Sequence, residues 1–225
     1  MNNPSLPWQE IHHVLLDMDG TLLDRHFDDT FFLETVPHFY AQRHAISLEE
    51  ARHRTMEAYM QNQGTLEWYD LDYWSRKLEL DIPLLKEHVA HLIQVRPTVL
   101  PFLQALREGP WRVHLVTNAH AQSLALKMSR TPIGNYFDSI TSSHELGRAK
   151  EDPLFWPLLQ DHINFDPPHT LLVDDSEPVL TAAAAFGLGY LVHMAAPSSS
   201  LPPVYSQHFP STSDFSCLMP VTKGG

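Results

Sequence analysis

Four short apolar runs have the pattern of buried parallel strands, and polar residues follow each of them. They span residues 14–16, 113–116, 170–173 and 190–193. Segments with apolar positions at helical spacing separate these runs, at residues 98–108, 122–130, 153–162 and 177–186. Strands that alternate with helices predict an α/β fold with a doubly wound, Rossmann-like parallel sheet. Ligands of such sheets bind beyond the carboxyl ends of the strands, where these polar clusters fall.

The spacing of the strands predicts an inserted all-helical cap. About 100 residues separate the ends of the first two runs, whereas one strand–helix unit needs roughly 30. The excess predicts a cap at residues 25–94, with helical patterns at 48–61, 68–80 and 82–93. Ser47 begins a capping-box pattern, and Pro37 is expected to break or kink the first cap helix. An insertion without any part in the chemistry is the alternative.

The remaining residues, 1–24 and 95–225, form the predicted core domain. Five prolines and scattered serines in residues 197–225 predict an irregular tail, extended or partly disordered. No repeat is visible in the chain.

Composition and charge narrow the possible partners. The 225 residues include 27 acidic and 15 basic side chains, for a net charge of −12. Nucleic acids and anionic membranes need a basic surface, so neither is expected as a partner. No apolar run reaches membrane-spanning length, and the first residues lack the pattern of a signal peptide. The single Cys217 excludes an internal disulfide, which favours a reducing, cytoplasmic location.

The strongest chemical signal follows the first apolar run, where Asp17 and Asp19 stand one residue apart before Gly20. Carboxylates crowded beside a core strand are costly without a partner, and a divalent cation supplies one. Strand alternation places both carboxylates on the same side, so Asp17 can act as a nucleophile and Asp19 as a proton donor and acceptor. A strand-ending Asp-Gly turn is the structural alternative.

Three further polar clusters follow the later runs. Thr117 and Asn118 precede a predicted helix, whose N-terminus favours phosphate. Lys150 lies in a loop from which an ammonium group can reach a phosphate, and Asp174 and Asp175 end another buried run. Taken singly, each cluster also has a structural explanation: helix capping for the clusters at residues 117–118 and 174–175, and a solvated surface lysine for Lys150. Together they place metal-binding acids and phosphate-binding donors along one edge of the sheet, as phosphoryl transfer requires.

The ordered set of these motifs resembles the haloacid dehalogenase-like hydrolases over residues 13–191. The motifs that carry the resemblance are Asp17-x-Asp19-Gly20-Thr21, Thr117 after a strand, Lys150, and Asp174-Asp175. The second acid, Asp19, favours phosphate chemistry over carbon–halogen cleavage, because the dehalogenases of this superfamily lack it.

The resemblance implies a role for each motif. Asp17 attacks phosphorus to form an aspartyl phosphate, while Asp19 protonates the leaving oxygen and then activates water. The phosphoryl group is held by Thr117, Asn118 and Lys150. Mg²⁺, or another divalent cation in its place, is bound by Asp17, the main-chain carbonyl of Asp19, and Asp174. The remaining acid, Asp175, binds the ion through water or orients Lys150.

Several segments are also similar to the bacterial GMP/IMP nucleotidases. They are Trp8-Gln9-Glu10, residues 68–74, residues 117–120, Lys150-Glu151-Asp152, and Asp174 to Glu177 before an alanine-rich helix. Proline often follows the motif lysine in the wider superfamily, whereas Glu151 stands here, as in the nucleotidase-like branch. Arg148 is the alternative cation for this position.

The resulting hypothesis is a Mg²⁺-dependent phosphatase for small phosphate monoesters, above all purine nucleoside 5′-monophosphates such as GMP or IMP. The aromatic residues 68–74 offer faces on which a base can stack, although some must be core. His120 is a candidate substrate contact. Two alternatives stay open: a phosphatase for flavin mononucleotide or a sugar phosphate, and a non-catalytic regulator with this fold.

Overall fold

A six-stranded parallel sheet forms the centre of the molecule, with the strand order β3-β2-β1-β4-β5-β6. The computed structural model describes residues 5–220. The strands are β1 (His13–Leu16), β2 (Arg112–Thr117), β3 (Ser139–Ser142), β4 (Thr170–Asp174), β5 (Tyr190–Met194) and β6 (Ser211–Thr212). The strand order reverses between β1 and β4, which is the position where doubly wound sheets bind ligands. The predicted α/β fold class is confirmed.

Helices connect these strands and cover the sheet. Seven lie between β1 and β2: α1 (His26–Thr30), α2 (Val36–His44), α3 (Leu48–Met60), α4 (Leu66–Tyr69), α5 (Leu71–Leu78), α6 (Ile82–His88) and α7 (Val99–Arg107). The later helices are α8 (Ala121–Arg130), α9 (Ser143–Leu146), α10 (Phe155–Ile163) and α11 (Glu177–Phe186). None of the helices in residues 5–220 combines the length and the apolar character that crossing a membrane requires.

Alternation along the strands separates two hydrophobic clusters, one on each face of the sheet. Val14 and Leu16 belong to a cluster that includes Phe102 of α7, whereas Leu15 belongs to one that includes Trp156 of α10. All five side chains are fully buried. Strands buried on both faces are apolar throughout, which explains why β1 and its neighbours read as continuous apolar runs.

A third hydrophobic cluster lies within the segment between β1 and β2. Its buried members are Phe31, Val36, Tyr59, Leu71, Trp74, Leu78, Ile82 and Leu85. They come from the helical run that begins at α1 and ends with α6, so the inserted helices have a core of their own. We call residues 25–94 the cap; these boundaries stay a prediction.

The observed elements differ from the predicted ones at three places in the cap. The predicted helix over residues 68–80 is divided into α4 and α5 at Asp70, whose carboxylate accepts the N–H groups of Asp72 and Tyr73. The helix predicted over residues 82–93 ends at His88, and a 3₁₀ turn follows it. A π turn at Phe31–Thr35 interrupts the first cap helix ahead of Pro37, which lies in the first turn of α2, where a missing N–H costs little.

Two strands and part of the tail were not predicted. Both β3 and β6 lie at edges of the sheet, and neither has a long apolar run. The tail, expected to be irregular, contributes β6 and buries Phe215 and Leu218 in the core. Short polar edge strands lack the pattern that identifies buried strands. Residues 221–225 of the predicted tail lie outside the described residues.

Candidate active site

Three neighbouring strands bring the predicted site residues to one edge of the sheet. Asp17 follows β1 directly, Thr117 ends β2, and Asp174 ends β4. Because β1 pairs in parallel with both β2 and β4, the three carboxyl ends lie side by side. The N–H of Asp17 donates to the carbonyl of Val173 at 3.0 Å, which extends the pairing to the site itself.

Lys150 joins all three of these strand ends. Its Nζ donates to Asp17 Oδ1 at 2.6 Å, to Asp174 Oδ2 at 2.7 Å and to the carbonyl of Val116 at 3.1 Å. The lysine is only 2% exposed. Burial lowers the pKa of Lys150, but the two carboxylates outweigh burial and raise that pKa above its ordinary value. Lys150 is therefore a permanent cation at the point where β1 and β4 meet.

The second oxygen of Asp17 has a different environment. Asp17 Oδ2 is buried and has no hydrogen-bond partner among the described residues. Burial raises the pKa of Asp17 to about 6, with Lys150 opposing the rise and Asp174 adding to it. A buried carboxylate oxygen without a partner is energetically costly. This oxygen is the group at the site that most needs a ligand.

The acids at the site fit a divalent cation. Oxygen atoms of Asp17, Asp174 and Asp175 lie within 4.8 Å of one another. Hard cations such as Mg²⁺ prefer carboxylate oxygens. Burial, followed by the charges of Asp17 and Asp174, raises the pKa of Asp175 well above its ordinary value, although Arg25 and Lys150 oppose this rise. The orphaned Asp17 Oδ2 and this donor set together match the requirements of a metal site.

Asp175 contacts an arginine at the start of the cap. Its Oδ2 accepts a hydrogen bond from Arg25 Nη1 at 2.8 Å, and Arg25 Nε lies 3.3 Å from Asp29. No hydrogen bond joins Asp175 to Lys150 in residues 5–220, which contradicts the expectation that Asp175 orients this lysine; Asp17 and Asp174 do so instead.

Gly20 allows the chain to turn close to Asp175. The φ angle of Gly20 is +84°, in the left-handed region that favours glycine. A Cβ at this position would lie 2.5 Å from Asp175 Oδ2 and 2.9 Å from Pro197 Cβ. Glycine is therefore required here both for the backbone conformation and for the approach of the carboxylate.

Asp19 is part of a buried network of charges that sequence analysis did not reveal. Lys127 Nζ lies 2.6 Å from Asp19 Oδ1 and 2.6 Å from Asp28 Oδ2. Asp28 Oδ1 also accepts a hydrogen bond from Lys86 at 2.7 Å. Burial raises the pKa of Asp19 to about 6 although Lys127 opposes this rise. Both lysines outweigh burial at Asp28 and hold its pKa below the ordinary value.

The predicted phosphate-binding residues of β2 lie at the same edge. Thr117 Oγ1 accepts the N–H of Ala119 at 3.0 Å, so this hydroxyl supports the turn that leads into α8. Asn118 Oδ1 accepts the N–H of Lys150 at 2.9 Å. Asn118 Nδ2 donates to Glu151 Oε2, also at 2.9 Å. Arg148, the alternative cation, is exposed and pairs with Asp152 away from these contacts.

A cavity of about 480 Å³ extends from this edge into the cap. Charged residues form one part of its lining, namely the bases Arg25, Lys86 and Lys127 and the acids Asp19, Asp28, Asp29 and Asp175. Apolar and aromatic residues form another part, including Phe32, Met56, Tyr59, Met60, Trp68 and Tyr69. Such a lining suits a molecule that has both a charged group and a flat apolar group.

The aromatic residues predicted at 68–74 have different surroundings. Trp68 and Tyr69 line the cavity and are partly exposed, whereas Trp74 is 1% exposed and belongs mainly to the cap core. Tyr73 donates its hydroxyl to Asn62 Oδ1 at 2.9 Å. His120 lines the cavity, as expected for a candidate substrate contact.

Known proteins share both the sequence and the fold of this chain. A family model described as haloacid dehalogenase-like hydrolase matches residues 11–187. The chain belongs to this family. The GMP/IMP nucleotidase YrfG of Escherichia coli (strain K12) is 37% identical over 216 residues, which cover 96% of this chain and 97% of that protein. The chain is thus a hydrolase, and the predicted family resemblance is confirmed.

Two more distant relatives agree with this assignment. The phosphorylated carbohydrates phosphatase of Thermotoga maritima is 21% identical over 185 residues, covering 78% of this chain and 81% of that protein. The structure of a HAD phosphatase from Thermococcus onnurineus superposes with a TM-score of 0.77 at 23% identity, covering 92% of this chain and 96% of that one. At this identity the structural match shows a common fold.

Proposed function

We propose that this hydrolase is a Mg²⁺-dependent phosphatase that acts on purine nucleoside 5′-monophosphates through an aspartyl phosphate on Asp17. The observation that carries the proposal is the buried, unpartnered Asp17 Oδ2 beside the carboxylates of Asp174 and Asp175. No hydrogen bond has to break before this oxygen attacks phosphorus. Lys150, which binds the other oxygen at 2.6 Å, holds the carboxylate in place.

The chain's own residues divide the reaction into two steps. Asp17 Oδ2 forms a bond to phosphorus while the bond from phosphorus to the leaving oxygen breaks, and Asp19 gives its proton to that oxygen. Asp19 then takes a proton from water, whose oxygen attacks phosphorus and releases Asp17 and inorganic phosphate. Lys150, Asn118 and Thr117 bind the phosphoryl oxygens during both steps.

The acids at the strand ends hold the cation in this proposal. Asp17, Asp174 and the main-chain carbonyl of Asp19 would hold Mg²⁺, and the carboxylate of Asp175 would lie beside them. When bound, the ion offsets negative charge on the phosphoryl oxygens and on the carboxylates that face them. Burial of Asp17 and Asp174 supports this arrangement, because Lys150 supplies one positive charge for the two buried carboxylates and leaves one negative charge for a cation to offset.

Two observations support a purine nucleotide as the substrate. The nucleotidase YrfG matches this chain over nearly its whole length. The cavity lining also has an aromatic and methionine-rich part in addition to its charged part, and Trp68 is partly exposed there. Stacking of a base on an aromatic side chain contributes roughly 1–3 kcal/mol. The larger purine ring gains more from such contacts than a pyrimidine does.

The test is phosphate release from GMP, IMP, CMP and glucose 6-phosphate, with Mg²⁺ and with EDTA. We expect kcat/KM for GMP or IMP to exceed that for the other two by at least about tenfold, which corresponds to roughly 1.4 kcal/mol. EDTA should abolish activity and Mg²⁺ should restore it. Full turnover after exhaustive dialysis against EDTA would contradict the metal site.

A sugar phosphate is the second candidate substrate. The observation that favours it is the match to the phosphorylated carbohydrates phosphatase, which covers 78% of this chain. A clear preference for glucose 6-phosphate in the same measurement would replace the nucleotide by a sugar phosphate. An equal rate for all four substrates would leave a phosphatase without selectivity for the base.

A further inference from the structure

Glu151 lies between the cap and the loop that carries Lys150, and both of its carboxylate oxygens accept hydrogen bonds. Oε1 accepts the hydroxyl of Tyr69 at 2.6 Å, and Oε2 accepts the side-chain amide of Asn118 at 2.9 Å. Asn118 Oδ1 in turn accepts the N–H of Lys150 at 2.9 Å. Tyr69 belongs to α4 of the cap. Three consecutive hydrogen bonds therefore connect the cap to the backbone of Lys150.

The chemistry of the two donors requires a carboxylate at position 151. A tyrosine hydroxyl and an amide NH₂ both donate here, and a carboxylate offers an acceptor oxygen to each. Glutamine has a single acceptor oxygen, so once it accepts the amide of Asn118 the hydroxyl of Tyr69 loses its acceptor. Proline, the residue that often occupies this position in the wider superfamily, has no acceptor in its side chain at all.

The same contacts determine the orientation of Asn118. The N–H of Lys150 can only donate, so the amide oxygen of Asn118 must face it. The amide nitrogen then faces the carboxylate of Glu151, which can only accept. Asn118 is 6% exposed, so water cannot readily replace either partner. A substitution at Glu151 therefore alters the hydrogen bonds of Asn118, which is next to Thr117.

Tyr69 connects this chain of hydrogen bonds with the cavity. Its side chain lines the cavity together with Trp68, while its hydroxyl contacts Glu151. A substrate whose leaving group fills the apolar part contacts the cap directly. The carboxylate of Glu151 thus links the position of the cap over the leaving group to the position of the Lys150 loop.

We propose that Glu151 is a positioning residue that couples the cap to the phosphate-binding residues Asn118 and Lys150. The proposal rests on the phosphatase function proposed above. Binding energy from the part of the substrate under the cap is used to place the groups that bind the phosphoryl end. A substrate with a large leaving group benefits from this coupling, whereas a compact phosphate ester does not reach the cap.

The experiment compares Tyr69→Phe, Glu151→Gln and the double variant on GMP and on glycerol 2-phosphate. We expect Tyr69→Phe to lower kcat/KM for GMP about tenfold, mainly through kcat, and to change it less than about twofold for glycerol 2-phosphate. Glu151→Gln should lower kcat/KM for GMP at least as much. The double variant should be no worse than Glu151→Gln alone, because both changes remove the same link.

Tyr73→Phe is the matched control. It removes a cap hydroxyl that bonds Asn62 within the cap and makes no contact with Glu151. We expect wild-type values for both substrates in this variant. Equal losses on GMP and glycerol 2-phosphate in Tyr69→Phe, or losses that add in the double variant, would overturn the coupling.

Amide hydrogen exchange in the free protein separates this proposal from the phosphatase function. Exchange should become faster at residues 66–70 and at residues 118–121 in Glu151→Gln, and in neither segment in Tyr73→Phe. Unchanged exchange in Glu151→Gln would overturn the coupling whatever the activity. If the wild-type protein releases phosphate from neither substrate but exchange responds as expected, the proposed function fails and the contact between cap and loop stands.

Discussion

At the scale of single residues, the two oxygens of Asp17 have opposite environments. Lys150 binds Oδ1, whereas Oδ2 is buried without a partner among residues 5–220. A structural carboxylate at the end of a core strand would be expected to satisfy both oxygens. The arrangement instead retains one oxygen in a costly state, which is a common property of groups that react or bind a ligand.

The first prediction concerns this side chain. Asp17→Asn keeps the size and shape of the side chain but replaces the nucleophilic carboxylate with an amide. We expect kcat for GMP to fall by on the order of 10⁴-fold or more, as for the loss of a covalent nucleophile. Phosphate release under saturating substrate measures the effect. The melting temperature, followed by circular dichroism, reports whether the fold is intact.

Asp161→Asn is the control for this variant. Asp161 is exposed on α10 and changes by the same substitution, without contact with the site. Its kcat should equal that of the wild-type protein. A folded Asp17→Asn protein that keeps more than about a tenth of the wild-type kcat would rule out Asp17 as the nucleophile.

The residues of the site could be predicted from sequence only in part. Asp17, Asp19 and Asp174 follow apolar runs, so local pattern alone located them. Lys127 lies 108 positions from Asp19 along the chain, and its place in α8 resembles that of any lysine on a helix surface. Its 1% exposure depends on the cap, which no local pattern describes. The contact between Tyr69 and Glu151 also joins residues that are far apart in the chain, 82 positions, and no local pattern predicts it.

At the scale of elements, the geometry of the turn between β1 and α1 is tightly constrained. It must place Asp17 and Asp19 at the edge of the sheet and begin the cap within a few residues. Gly20 meets this constraint through its positive φ and the absence of a Cβ. Gly64 also has a positive φ, of +80°, but a Cβ there would have nothing within 4 Å. A comparison of substitutions at these two glycines therefore distinguishes the cost of backbone strain from the cost of steric contact.

The second prediction uses this pair. Gly64→Ala should lower the free energy of unfolding by about 1–2 kcal/mol, the cost of a left-handed conformation for an L-residue. Gly20→Ala adds contacts under 3 Å with Asp175 and Pro197, so it should cost at least about 3 kcal/mol in total. Urea unfolding measures both variants. Equal destabilisation by the two substitutions would show that the contact with Asp175 imposes no cost.

Elements with long apolar runs were predicted well, and elements without them were missed. The observed α7, α8 and α11 agree with the predicted helices to within one residue at each end. The edge strand β3, which contains Ser139, Thr141 and Ser142, has no run that would identify it. Its pairing with β2 supplies the hydrogen bonds that hold it in the sheet. Edge strands depend on their neighbours more than on their own sequence.

At the scale of the whole molecule, the end of the sheet opposite the site holds a pair of histidines, of which His114 is buried and His13 is half-buried. His13 Nδ1 lies 3.2 Å from His114 Nε2, and His114 Nδ1 lies 2.8 Å from Ser139 Oγ. These contacts join β1, β2 and β3. Burial, followed by the neighbouring His13, lowers the pKa of His114 to about 4. Burial also lowers the pKa of His13.

These shifts predict how folding stability depends on pH. A histidine whose pKa is lowered by folding binds more protons in the unfolded state between pH 6.5 and about 4. The free energy of unfolding therefore falls as the pH falls through this interval. For His114, allowing for its partial contact with water, the loss is on the order of 2 kcal/mol. His13 contributes in the same direction.

The third prediction isolates this contribution by substitution. His114→Gln carries no charge at any pH in the interval, so the difference in unfolding free energy between wild type and variant should shrink as the pH falls from 7 to 4. Urea unfolding at half-unit steps of pH measures this difference. The two proteins share all carboxylates, so the titration of these groups cancels when their free energies of unfolding are subtracted. This matters because the raised pKa values of the buried acids at the site change stability in the opposite direction.

His53→Gln is the control for the histidine pair. His53 is exposed on α3 and lies outside the histidine pair, so this variant reports the effect of the substitution itself. A constant difference between wild type and His114→Gln from pH 7 to 4 would mean that His114 is not held neutral by the fold. A shrinking difference would mean that the neutral form of His114 stabilises the end of the sheet opposite the site near pH 7. This contribution would be independent of the acids at the catalytic edge.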